Sequence, residues 1–175
     1  MKNLIFLFVL FFFTCPGGED ANAQNHYDIF TIYLIRHSEK DLESNNSSNP
    51  PLSECGEIRS ENLRHFFKDV PLGVIYSTDY IRTTTTAMPT ATAKELHIEK
   101  YNAEHLKEFS KLLLDRKQNA LVVGHSNTTG VLAGLLINEN IEAYDSDIYD
   151  RIYQVVIYND KAQLHLLHMP LDCID

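Results

Sequence analysis

An α/β fold is what this sequence predicts: a three-layer α/β/α sandwich around a mostly parallel sheet, with at least one antiparallel strand near the C-terminus. Three observations predict it. Runs such as Thr31-Ile32-Tyr33-Leu34-Ile35 and Ala120-Leu121-Val122-Val123-Gly124 are too apolar for half-exposed strands and read as buried parallel ones. Segments of helical periodicity alternate with these runs, as in a parallel sheet covered on both faces. Two late runs, 152–158 and 163–168, flank Asn159-Asp160-Lys161, a turn that reverses the chain.

Each element has its own signal. Residues 24–28 are a short lead, and 29–36 form a strand rich in β-branched and aromatic residues. Asp41 to Pro51 is a polar loop that directly follows an Arg-His pair, so it either walls a site or is simply solvated. Ser53 is an N-cap for a helix carrying Ile58, Leu63, Phe66 and Phe67. Val74 to Ser77 is the second strand. Asp79 caps a helix from Tyr80 to about Leu96, which contains the poor helix-forming run Thr83 to Thr86 and a kink at Pro89. Ile98 to Tyr101 is a short strand, and 104–117 a helix with Leu106, Phe109, Leu112 and Leu113 on one stripe. Leu121 to Val123 is a strand and Thr128 to Ile137 a helix. His165 and His168 sit at an odd spacing in a strand, which points them to opposite faces and away from a shared metal.

The N-terminal residues read as an export signal. Lys2 gives a positive start, Leu4 to Phe13 an apolar stretch, and Ala21-Asn22-Ala23 a small-residue cleavage site. The stretch is shorter than the ~18–20 residues of a membrane-spanning helix, so no stable membrane insertion is expected after cleavage. The expected product is residues 24–175, one domain, periplasmic or secreted. Lipidation at Cys15 is the lesser alternative, because Phe12-Phe13-Thr14 is a poor lipoprotein signal. Cleavage leaves Cys55 and Cys173, either joined by a disulfide in an oxidising compartment or both free. The net charge of −9 argues against nucleic acid or anionic membranes as partners. No Cys/His spacing resembles a zinc site, and no metal or cofactor is called for.

Chemistry concentrates at three strand ends. Arg36 and His37 follow the first strand, Arg82 lies just beyond Ser77-Thr78, and His125 follows Gly124. Strand C-termini on one edge of a parallel sheet share a crevice, so two guanidiniums and two imidazoles should meet there. Each alone reads as a surface cation or a turn histidine. Together they make a crevice of local positive charge set against an acidic global field.

These segments resemble the histidine phosphatase superfamily, the group that includes phosphoglycerate mutases and small phosphohistidine phosphatases. The matching pieces are Leu34-Ile35-Arg36-His37-Ser38-Glu39-Lys40, Leu52-Ser53-Glu54-Cys55-Gly56, Ile75-Tyr76-Ser77-Thr78-Asp79-Tyr80-Ile81-Arg82-Thr83 and Val123-Gly124-His125-Ser126-Asn127-Thr128, in the family's order. The resemblance implies a metal-independent phosphatase with His37 as nucleophile. Arg36, Arg82 and His125 would bind the transferring phosphoryl group, with Ser38 and Asn127 as further donors. It also implies an acid for the leaving oxygen, for which Glu104 is the candidate and Glu108 and Glu39 the alternatives; a dipole-complementing role is the other reading of Glu104. Ser38 replaces the family's commoner Gly, and Thr85 stands where many members have Gln. The basic substrate segments of the mutases have no counterpart, which favours hydrolysis. The expected substrate is a phosphorylated small molecule or a phosphoprotein. A non-catalytic phosphate-binding module and a mutase-like phosphotransferase are the alternatives.

Overall fold

The computed structural model describes residues 29–143, 146–159 and 161–171. The expected export signal, the lead 24–28 and Cys173 lie outside the described residues. The elements in chain order are β1 (Ile29–Arg36), α1 (Glu54–Phe66), β2 (Val74–Ser77), α2 (Ile81–Lys94), β3 (Ile98–Lys100), α3 (Leu106–Arg116), β4 (Ala120–Gly124), α4 (Thr129–Ile137), β5 (Arg151–Tyr158) and β6 (Lys161–His168).

Six strands form one sheet in the order β3-β2-β4-β1-β5-β6. β1, β2, β3 and β4 pair in parallel, whereas β5 pairs antiparallel with both β1 and β6. β5 is therefore the one described strand that runs against the rest. Side chains alternate across the sheet, and the two faces bury separate cores. Ile32, Leu34, Tyr76, Val122 and Val155 pack with Phe109 and Leu113 of α3 and Leu132 and Leu136 of α4. Tyr33, Ile35, Ile75, Leu121 and Val123 pack with Leu63 of α1, Phe67, and Ala87 and Ala91 of α2. The three-layer sandwich with a reversed late strand is thus the observed architecture.

Local chemistry explains the element ends. Ser53 caps α1, its hydroxyl accepting from the Gly56 N–H at 3.2 Å. Asp79 does not cap α2. Its carboxylate instead pairs with Lys100 Nζ at 2.7 Å in solvent, and the first N–H of α2, that of Ile81, goes to Asn49 Oδ1 at 2.9 Å. α2 runs through Pro89 to Lys94, so the proline does not end the helix. The threonine run survives in this helix because tertiary bonds use its hydroxyls, as the site shows. Glu104 precedes α3 rather than lying in its first turn; its N–H donates to Asn102 Oδ1 at 2.9 Å, an Asx turn after β3.

Candidate active site

Parallel register makes the strand ends flush. Arg36 lies opposite Gly124 and Ser77 opposite Val123, so the residues that follow each strand project into one crevice. The His37 N–H donates to the Gly124 carbonyl at 2.9 Å, extending the ladder one residue into the loop. Gly124 is required there, because a Cβ would run into the Tyr101 hydroxyl and crowd Thr128 Oγ1. The loop after His37 is clamped from below. Arg59, 4% exposed, grips both oxygens of Glu39 from Nε at 2.9 Å and reaches the Met169 carbonyl at 3.0 Å. A Cβ at Gly56 would collide with the Glu39 carbonyl, so α1 packs directly on this loop.

The His37 ring is 4% exposed, and its Nδ1 lies 2.7 Å from the Ser38 carbonyl. A carbonyl only accepts, so Nδ1 carries the proton and Nε2 keeps its lone pair. Burial lowers the ring's pKa from 6.5 to about 3, with Arg36, His125 and Arg82 adding to the effect and the Ser38 bond opposing it. Near neutral pH this imidazole is neutral and fixed in one tautomer.

His125 is oriented by a hydroxyl relay. Thr83 Oγ1 directs its proton to the Thr78 and Tyr80 carbonyls at 3.0 and 2.9 Å, and Thr78 Oγ1 donates to Thr83 Oγ1 at 3.0 Å. Thr78 Oγ1 must therefore accept from His125 Nε2–H, 3.0 Å away. Burial, then Arg82 and Arg36, lowers the His125 pKa to about 4. The two rings stand edge-on with centroids 5.5 Å apart.

Each arginine keeps buried donors without a partner. Arg36 Nη1 donates to the carbonyls of Ser146 and of Ile148 (3.1 Å), while its buried Nε has no partner. Arg82, in the first turn of α2, buries Nε and Nη1 without a partner, and burial lowers its pKa. Neither guanidinium pairs with a carboxylate among the described residues. Tyr149 lies under Arg36 at 3.8 Å from guanidinium carbon to ring centroid, and Tyr80 under Arg82 at 4.3 Å. Each orphaned donor costs about 1–3 kcal/mol, a cost an oxyanion removes.

A cavity of about 400 Å³ opens over these groups, lined by Arg36, His37, Arg82 and His125 together with Lys40, Tyr80, Glu104, Asn127, Thr128 and Ser146. Six of the seven predicted site residues reach it: Arg36, His37, Arg82, His125, Glu104 and Asn127. Ser38 does not. It is fully buried, its N–H donates to Thr86 Oγ1 at 2.9 Å, and it serves the site through its carbonyl. Of the alternative acids, Glu39 is held by Arg59, and Glu108 lines a separate cavity beside Tyr76 and Phe109. The polar loop 41–51 contributes Asp41, Leu42 and Glu43 to a neighbouring cavity of about 830 Å³, which shares Lys40 with the first. No cluster of potential metal ligands occurs among the described residues.

Sequence reasoning missed Thr78 as the histidine's partner, the arginine-stacking Tyr80 and Tyr149, and the backbone acceptors Ser146 and Ile148. Thr78 and Tyr80 lay within a quoted motif, and a strand-end hydroxyl beside a histidine was the available signal. Nothing in the sequence tied 146–149 to Arg36, more than a hundred residues away.

An α/β sandwich with two arginines and two imidazoles at its strand ends has the charge and the donors to receive an oxyanion. A family model, histidine phosphatase superfamily (branch 1), matches residues 32–113, the span that carries Arg36, His37 and Arg82. Solved structures agree in fold. A putative alpha-ribazole-5'-P phosphatase from Escherichia coli is 16% identical with a TM-score of 0.66, the match covering 83% of this chain and 99% of that one. The protein histidine phosphatase SixA, complexed with tungstate, is 15% identical with a TM-score of 0.65, covering 79% and 97%. A mycobacterial glucosyl-3-phosphoglycerate phosphatase is 11% identical with a TM-score of 0.66, covering 81% and 100%. No protein of curated function matches the sequence significantly. The match over residues 32–113 agrees with the resemblance to the histidine phosphatase superfamily and with the expectation of a phosphatase-type enzyme.

Proposed function

We propose that this chain is an exported phosphatase that needs no metal and hydrolyses phosphomonoesters, or a phosphoprotein, through a phosphohistidine on His37. One observation carries the reading: a neutral imidazole with its Nδ1 proton committed to Ser38 faces a cavity whose two arginines have buried, unpartnered N–H groups. A nucleophilic nitrogen and a set of oxyanion donors then share one small space.

In the first step His37 Nε2 attacks phosphorus, the N–P bond forms and the ester P–O bond breaks. Glu104, in its acid form, gives its proton to the leaving oxygen. In the second step water attacks phosphorus and passes a proton to the Glu104 carboxylate. The N–P bond breaks, releasing inorganic phosphate and restoring His37. Arg36 and Arg82 carry the phosphoryl charge throughout, the task often given to Mg²⁺. A bound dianion raises the proton affinity of His125, which then joins them as a donor. Export rests on the sequence alone, namely the leader 1–23 and its Ala21-Asn22-Ala23 site.

Hydrolysis of an aryl phosphate in excess EDTA, compared with His37→Ala, tests the chemistry. Turnover in the parent and none in the variant supports it. Equal turnover in both removes His37 as nucleophile, and loss of parental turnover in EDTA removes metal independence. Periplasmic fractionation and N-terminal sequencing test the export.

A further inference from the structure

Each arginine of the cradle is supported in the same unusual way. Tyr149 lies face-on to Arg36 at 3.8 Å, and Tyr80 lies face-on to Arg82 at 4.3 Å. Each ring also meets one histidine edge-on: Tyr149 with His37 at 6.1 Å between centroids, and Tyr80 with His125 at 5.2 Å. The two Arg-Tyr-His groups repeat across the cavity although their tyrosines come from unrelated segments, the loop before β5 and the turn before α2.

Buried arginines are ordinarily held by carboxylates. A carboxylate would take the in-plane N–H fork that a phosphoryl group needs and would cancel the charge. A ring face attracts the same guanidinium through its quadrupole, from a direction perpendicular to that fork. The orphaned Nε of Arg36, and Nε and Nη1 of Arg82, are the donors left open by this arrangement.

We infer that Tyr149 and Tyr80 are positioning residues of the anion site, each holding one arginine by its face so that Nε of Arg36 and Nε and Nη1 of Arg82 stay open to the phosphoryl oxygens. The inference rests on the phosphatase reading for the identity of the anion. It concerns binding of the anion, not the bond-breaking steps.

The test measures inorganic phosphate affinity by calorimetry, and kcat and KM for an aryl phosphate, on the purified protein and its Tyr→Phe and Tyr→Leu variants at both positions. Phenylalanine keeps the ring face, and leucine keeps only bulk. Tyr80 is 41% exposed, so Tyr80→Leu tests the idea even where Tyr149→Leu folds poorly. The Phe variants are expected within about 2-fold of the parent, and the Leu variants roughly 5–30-fold weaker in phosphate affinity, with a matching loss in kcat/KM. Leu variants that bind phosphate like the parent would overturn the inference. So would Phe variants as weak as Leu, which would assign the role to the hydroxyls. Should the parent bind phosphate but turn over no ester, the phosphatase reading fails while calorimetry still decides the tyrosines' role.

Discussion

Burying a neutral histidine that nothing can protonate cheaply makes the fold sensitive to acid, and the size of that sensitivity follows from the site. In the unfolded chain the His37 ring takes up a proton below 6.5; in the fold it does so only near 3. Between those values the unfolded state binds more protons, so stability rises with pH and is lost as pH falls. At pH 4.5 the unfolded ring is protonated and the folded one is not, a difference of about two pH units, or ~2.7 kcal/mol at 1.36 kcal/mol per unit. Any folded value below 4 gives nearly the same figure. His37→Asn is the control: its amide N–H can still reach the Ser38 carbonyl, but it does not titrate. Any packing cost of the substitution is the same at both pH values. Urea unfolding followed by circular dichroism at pH 7.5 and 4.5 should show the parent losing ~2.7 kcal/mol more than the variant. Parallel losses, differing by less than about 1 kcal/mol, would mean that the ring protonates freely in the fold. The neutral-nucleophile argument would then fail.

Other outcomes follow from the same geometry. Arg82→Met removes two buried donor atoms from the anion site and should lower kcat/KM for an aryl phosphate by roughly 10²–10³-fold, while raising stability in phosphate-free buffer by relieving the orphaned groups. Glu104→Gln should barely affect esters with good phenolate leaving groups but slow alkyl phosphates by about 10²-fold or more; equal effects on both would remove Glu104 as the acid. Gly56→Ala, pressing on the Glu39 carbonyl beneath the nucleophile loop, should destabilise by about 1–3 kcal/mol by chemical unfolding.

The fold was legible because the central strands β1, β2 and β4 announced themselves as apolar runs buried on both faces. β1 and β2 match the sequence reading to the residue, and the antiparallel turn was visible in Asn159-Asp160-Lys161. The four charged site residues were legible because a parallel sheet brings its strand ends to one edge. What stayed hidden depended on tertiary contact. Thr83 and Thr86 looked like weak helix formers, but their hydroxyls orient the site through Thr78 and Ser38, so packing outweighed propensity. Asp79 looked like a helix cap because side-chain capping is a local rule; a distant asparagine, Asn49, satisfied the helix instead. Ser38 was expected as a further donor, yet it is fully buried and outside the cavity lining, and its carbonyl fixes the tautomer. Cys55 is disulfide-bonded, where the sequence had left two readings open.

The most direct test of the central claim is to quench the enzyme within milliseconds of mixing with a phosphoester and map the phosphate by mass spectrometry under alkaline conditions, which preserve phosphohistidine. The account predicts a phosphate on the peptide carrying His37, on a ring nitrogen, appearing and decaying at rates that match turnover. Turnover without that species, or with the phosphate on another residue, would contradict it.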